Sequence, residues 1–295
     1  MNGIFTRRSG GLLNSLPVAV LFLAASFNAN SQYLKRSLSG IQEFKTGLST
    51  MSAHYKPVFG EGDKDSDMLK GITRYGLLTI DEGGASNSVK YGDEEQILFI
   101  LEGTGILSVD RKNVPVSRND FMYIPKGMKF GLSNPRQGPL SVIIMGFRLS
   151  PDTFRLKNRT LMIANCDEVK FQTLPSHGPT TTFQLLMGTT ESTRDRLAAA
   201  CQVNSLFIMD FAAGGTNNPH RHSNEEEIYL ILRGKGDIVA GETSDGGELR
   251  HPSVMGDIYF FAPKSLIGFY SGNLAEEEHA RILAVRFKFP EQTEK

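Results

Sequence analysis

At 295 residues the chain has room for one large domain or two of ordinary size. Its 32 basic and 32 acidic residues cancel, and no Lys/Arg stripe breaks the balance, which excludes nucleic acid and an electrostatically held membrane surface as partners. An apolar fraction of 40% with 30 Gly and 13 Pro suits a turn-rich β protein.

Residues 1–31 read as a cleavable export signal. Arg7 and Arg8 supply the positive start, Val18 to Phe27 the short apolar run, and Ala29 and Ser31 the small residues before a cut at Gln32. The run is shorter than the ~20 residues of a membrane span, so cleavage leaves no span and places the mature protein in the periplasm or outside the cell. Residues 32–70 are polar, with a loop at Gly60–Asp65, and are expected to include a strand or arm that dresses the first folded unit.

From Arg74 short strands follow at Tyr75–Ile80, Ile97–Leu101, Ile106–Val109, Phe121–Ile124 and Val142–Phe147, with Gly- and Pro-bearing turns between them. Even spacing of this kind predicts a sandwich or barrel. Arg155–Ala164 could form a further strand, Thr173–Thr182 is a Pro/Gly/Thr loop, and Ser192–Ala200 has helical character. Cys166 and Cys201 could pair after export or stay buried thiols; their spacing does not decide. Asn158-Arg159-Thr160 matches a glycosylation acceptor, relevant only to a eukaryotic source.

The strongest organising signal is an internal repeat. The stretch from Gly83 to Gly105 aligns without a gap on that from Gly214 to Gly236, at an offset of 131 residues. Downstream, Asn119-Asp120-Phe121 aligns with Gly256-Asp257-Ile258 at 137, and the difference is an insertion at Glu242–Gly247, expected to be a hairpin tip. Gly76–Ile80 matches Phe207–Phe211, and Val142–Ile144 matches Ile282–Ala284. A repeat this long means one structural unit used twice.

The second copy carries chemistry that the first lacks. His220 and His222 leave one face of an extended strand, and Glu227 joins them from beyond a short turn. Imidazole and carboxylate are ligands that borderline transition metals prefer. In the first copy the three positions hold Val89, Tyr91 and Gln96, a set unsuited to such an ion. The fold therefore does not itself require the histidines, and ligation explains them better than core packing does. Tyr229 and Ile231 share the face of Glu227, while Ile228, Leu230 and Leu232 face a second sheet, the other unit or another subunit. Glu225 and Tyr229 are candidate acid–base groups. Arg286 stands where the first copy has Gly146, so its cation could meet an anionic substrate, or be solvated at the rim. Glu226 is expected to face solvent, and His54, His177, His251 and His279 to have surface roles. Lys264 and Tyr270 are expected near the mouth.

His-x-His, four residues, Glu, six residues and Gly resembles the first motif of the cupin superfamily, in which the two His and the Glu ligate a metal inside a jelly-roll barrel. The second motif of that family is met only in outline: Ala262 stands at its Pro, Lys264 at its second Gly, and Ile267 at its fourth ligand, a His. The resemblance implies an all-β bicupin of two tandem jelly-roll barrels: an N-terminal barrel without ligands (32–150), a connector (151–200) and a C-terminal barrel (201–295). It further implies one divalent transition metal, Mn, Fe, Ni or Zn, on His220, His222 and Glu227, with open positions. Isomerisation, dioxygenation, decarboxylation and amidohydrolysis all occur in the superfamily. The expected function is a metal-dependent enzyme on a small polar metabolite, sugar-derived or a carboxylate, with a non-catalytic sugar-binding or storage-like protein as the alternative. A monomer or a homodimer would serve either.

Overall fold

The structure, a computed structural model, describes residues 33–64, 66–150, 160–175, 177–273 and 275–290. The expected export segment and the first two residues of the glycosylation acceptor lie outside them. Among the described residues no helix is long and apolar enough to cross a membrane.

The chain is built of strands. The first half carries β1 Tyr33–Ser37, β2 Ala53–Gly60, β3 Ile72–Ile80, β4 Glu94–Glu102, β5 Thr104–Val109, β6 Lys112–Ser117, β7 Asp120–Ile124, β8 Phe130–Ser133 and β9 Leu140–Arg148. The second carries β10 Met162–Asn165, β11 Thr181–Thr189, β12 Leu197–Ala200, β13 Val203–Phe211, β14 Thr216–His220 and β15 Glu226–Arg233. It ends with β16 Lys235–Glu242, β17 Glu248–Val254, β18 Asp257–Phe261, β19 Ile267–Tyr270 and β20 Arg281–Phe287. They form two jelly-roll barrels. The first joins the sheet β10-β7-β4-β9-β3-β2 to the smaller sheet β6-β5-β8; the second joins β1-β18-β15-β20-β13-β11-β12 to β14-β19-β16-β17.

Strand register reproduces the repeat residue by residue. Gln96 pairs with Ile124 and Gly146, and Glu227 with Phe261 and Arg286, at the same offsets the sequence shows. Gly103 and Gly234 turn the chain from β4 to β5 and from β15 to β16, out of the large sheet and into the small one, with φ of 84° and 73°, and a Cβ on either would strike the backbone of Pro139 or of His279. Only glycine fits there. The insertion at Glu242–Gly247 is a hairpin tip, closed by Thr243 N–H donating to the Gly247 carbonyl at 2.8 Å.

Alternation along the central strands sorts residues between three cores. Leu98 and Ile100 of β4 fill the first barrel, and Tyr229 and Ile231 of β15 the second. Ile97 and Phe99 face Ile228 and Leu230 across a third core, where the two large sheets pack on each other. Phe59 meets Phe260 there at 5.8 Å, and Phe147 meets Phe287 edge-on at 4.9 Å. The second face of β15 therefore covers the other barrel.

Three expectations need correction. The arm is β1, and it pairs with β18 of the second barrel, not with the first. Residues 160–200 are not a free connector: β10 pairs with β7 of the first barrel, and β11 and β12 extend the second barrel's sheet. The barrels thus exchange their leading strands, β1 and β10. The helical character expected at Ser192–Ala200 gives way to turns and strand β12, whose residues follow β11 in parallel. The apolar Leu197-Ala198-Ala199-Ala200 has a buried sheet edge to join, and packing there overrides local propensity.

Glu226 is also not a solvent-facing residue. It is fully buried and accepts Lys70 N–H at 2.9 Å and Gly71 N–H at 2.7 Å, at the start of β3. Its counterpart Glu95 accepts Cys201 and Gln202 N–H at 2.8 Å each, at the start of β13. Each barrel thus satisfies buried backbone donors of the other, by symmetry-equivalent carboxylates. Both cysteines are free thiols.

Candidate metal centre

β14 ends on His220, and β15 starts one residue before Glu227; the turn between them carries His222. Glu227 belongs to the inward row of β15 and is 1% exposed. The turn is pinned from behind. Lys264 N–H donates to the His222 carbonyl at 2.7 Å, and Lys264 adopts φ 69° to do so. In the first barrel Gly127, with φ 75°, does the same to Tyr91 at 2.6 Å. The second barrel accepts a strained non-glycine residue at this point.

The three ligand atoms of His220, His222 and Glu227 all lie within 4.8 Å of one another. His220 Nδ1 lies 2.8 Å from the Asn218 carbonyl, which can only accept, so Nδ1 holds the proton and Nε2 offers a lone pair. His222 Nδ1 is 3.5 Å from Glu225 Oε2, and its Nε2 turns the other way. The two Nε2 atoms come to 3.1 Å, and His222 Nε2 lies 3.2 Å from Glu227 Oε2. That oxygen is buried without a hydrogen bond. Two ligands at ~2.1 Å from one ion sit roughly 3.0 Å apart at a right angle and roughly 3.4 Å at the tetrahedral angle. The two spacings through His222 and the orphaned carboxylate oxygen fit a divalent cation beside the three groups. Ile267 pairs with His220 across β14–β19, so the fourth motif position faces the cluster with an apolar side chain.

The cluster opens on a cavity of about 190 Å³. Arg286 and Arg194 supply cations, Asn217 and Tyr229 polar groups, and Phe183 and Phe207 apolar wall. Arg286 Nε lies 3.1 Å from Glu225 Oε2, and Asn204 Nδ2 donates to the other oxygen of Glu225. Glu225 is thus spent on orienting His222 and Arg286 and does not line the cavity. Tyr229 does line it. Its hydroxyl accepts Asn217 Nδ2 at 2.8 Å, and burial pushes its pKa well above the ordinary tyrosine value, so it serves as a neutral group. Tyr270 lies elsewhere, stacked under Arg250 with its hydroxyl donating to Glu248 at 3.0 Å.

The first barrel keeps the surrounding carboxylate and its partners without the three-residue cluster. Glu94, the counterpart of Glu225, accepts Thr73 Oγ1 as Glu225 accepts Asn204. Its second partner is Arg74, 2.9 Å away and 6% exposed, whose guanidinium stacks on Tyr91 at 3.6 Å. Arg74 faces Gly146 across β3–β9; Ser205 faces Arg286 across β13–β20. The arginine has changed strands between the barrels. In the first it lies over Tyr91, the side chain at the position of His222.

Sequence reasoning missed the residues that the loop before β11 brings in. Leu174 and His177 line the cavity, and the His177 ring lies 6.1 Å from that of His220. Burial lowers the His177 pKa, against the opposing pull of Asn217 and Glu227. Of the other histidines, His54 bridges Glu43 and Asp81 at the surface, and His251 is half-buried against Tyr33, with ring centroids 5.1 Å apart.

A family model described as the cupin domain matches residues 76–146, the barrel without the ligand set. No curated protein matches the sequence. Solved structures similar over most of the chain include Ylba from E. coli, at 14% identity and TM-score 0.66, covering 90% of this chain and 94% of that one. AerE from Microcystis aeruginosa follows at 15% identity and TM-score 0.60, covering 84% and 96%. A third is Bacillus subtilis oxalate decarboxylase, a protein with Mn(II) centres, at 12% identity and TM-score 0.60, covering 88% and 78%. At such identities the likeness is one of fold. The first barrel thus matches the cupin domain, and the second repeats its jelly roll, so the chain has a two-barrel cupin fold.

Proposed function

We propose that the protein is a metal-dependent enzyme acting on a small anionic metabolite in its C-terminal barrel. The observation that carries this reading is the buried, unpartnered Glu227 oxygen beside two imidazole lone pairs, at the mouth of a cavity lined by two arginines. His220, His222 and Glu227 would hold one divalent ion of the Mn, Fe, Ni or Zn type, which supplies Lewis-acid polarisation of a bound group. With that ion, the positive groups, including Arg194 and Arg286, outweigh the negative charge of Glu225, Glu227 and Asp195, which favours an anion. Arg286 and Arg194 would bind a carboxylate, while Phe183, Phe207 and Leu174 exclude water.

One observation supports a non-catalytic binding protein as second reading: Glu225 and the Tyr229 hydroxyl are both already engaged. The test is a panel of small carboxylates and sugar acids offered to protein loaded with each metal. Stabilisation with turnover, lost in Arg286→Met, supports the enzyme. Stabilisation without turnover supports the binder. No response from metal-loaded protein contradicts both.

We also infer export from residues 1–31, tested by whether the mature chain begins at Gln32. The facing sheets cover each other within one chain, which favours a monomer over a homodimer; light scattering separates the two.

A further inference from the structure

We propose that His177, from the loop before β11, is the fourth protein ligand of the centre, in place of the histidine that Ile267 replaces. The inference rests on the metal reading above. His177 Nδ1 is buried and has no hydrogen-bond partner, and the ring lines the same cavity as the three ligands. The ring lies edge-on to His220 at 6.1 Å and packs on Phe183 at 4.8 Å. His220 and His222, whose Nε2 atoms already converge, have ring centroids 4.9 Å apart. Two imidazoles on one ion at ~2.1 Å have centroids roughly 4.5 to 5.5 Å apart, by the same geometry used above. A closure of about 1 Å would bring His177 into that range.

The first barrel again acts as an internal control. Its loop before β2 makes the same turn. Ser49 N–H donates to the Thr46 carbonyl at 3.2 Å, as His177 N–H donates to the Leu174 carbonyl at 3.0 Å. Phe44 N–H donates to Tyr55 and Gln172 N–H to Phe183, at 2.8 and 2.9 Å, which fixes the correspondence. Ser49 therefore holds the position of His177. That barrel, with Val89, Tyr91 and Gln96, is closed at this point by the fully buried Leu48. An imidazole occurs in this turn only in the barrel that carries the ligand set.

The test uses full-length protein loaded with Co(II), counting the imidazole spin systems shifted by the paramagnetic ion, together with metal affinity by chelator competition. The proposal expects three shifted imidazoles in the wild type and two in His177→Ala. Losing a group that merely orients a metal-bound imidazole costs ~10–100-fold in affinity, and losing a direct ligand is expected to cost no less. His177→Gln serves if the alanine variant folds poorly, and the wild-type count stands without either. One bound ion with two shifted imidazoles, unchanged in the variants, overturns this proposal and leaves the three-ligand centre standing. A wild type that binds no ion overturns both.

Discussion

Replacing Glu226 by glutamine tests how the barrels are joined. The carboxylate accepts two backbone N–H groups of the other barrel, at 2.9 and 2.7 Å, in a fully buried place. An amide can accept only one of them and turns its own donors on the other. One buried donor left unsatisfied costs about 1–3 kcal/mol. The cost should depend on pH. Burial raises the Glu226 pKa from 4.5 to about 7, against the pull of the Gly71 and Lys70 N–H groups. A folded state that holds its proton longer than the unfolded chain is most favoured below pH 4.5, and loses that advantage as pH rises to about 7. At 1.36 kcal/mol per tenfold in proton affinity, the loss is on the order of 3 kcal/mol. Urea denaturation of wild type and Glu226→Gln at pH 5, 6 and 7.5 measures it, because groups common to both cancel in the difference. The wild-type advantage should shrink as pH rises. A difference that stays flat, or that grows with pH, would refute the reasoning.

Gly146→Ala should destabilise the first barrel by about 1–3 kcal/mol, because the new Cβ would lie 2.5 Å from Glu94 Oε2 and 2.9 Å from Arg74 Cγ. Adding Arg74→Ser, the residue of the second barrel, should recover part of that loss in a denaturant melt; an additive second loss would contradict the strand exchange of the arginine. Glu225→Gln should weaken metal binding by ~10–100-fold in chelator competition, because it removes the carboxylate behind His222. It should leave the denaturation midpoint of the metal-free protein close to wild type.

The repeat made the two-barrel fold, the strand order around the site and the convergence of His220, His222 and Glu227 legible, because each rests on residues in one continuous, gap-free stretch. Glu227 with Tyr229 and Ile231, against Ile228 with Leu230, follows from period two alone. What was hidden depends on partners that sequence does not display. Glu226 is held by backbone donors 155 and 156 residues away, and a backbone N–H leaves no mark in the residue string. The leading strands β1 and β10 repeat at an offset of 128, seen in the matching pairs Ser37–Asp257 and Asn165–Asp120, but their residue types have diverged. That divergence made 160–200 read as a connector. His177 sits in a Pro- and Gly-bearing turn, whose composition says loop and not which way the loop folds. Aligning Phe44–Ser49 with Gln172–His177 is the comparison that would have found it.

The central claim is a metal centre confined to the second barrel. The most direct test is metal content per chain of purified protein, after reconstitution and dialysis, for wild type, His220→Ala and Tyr91→Phe. The account predicts one ion per chain in the wild type and in Tyr91→Phe, and a loss of bound metal in His220→Ala with its circular dichroism unchanged. A wild type that retains no metal, or a His220→Ala variant that retains it in full, would contradict the account.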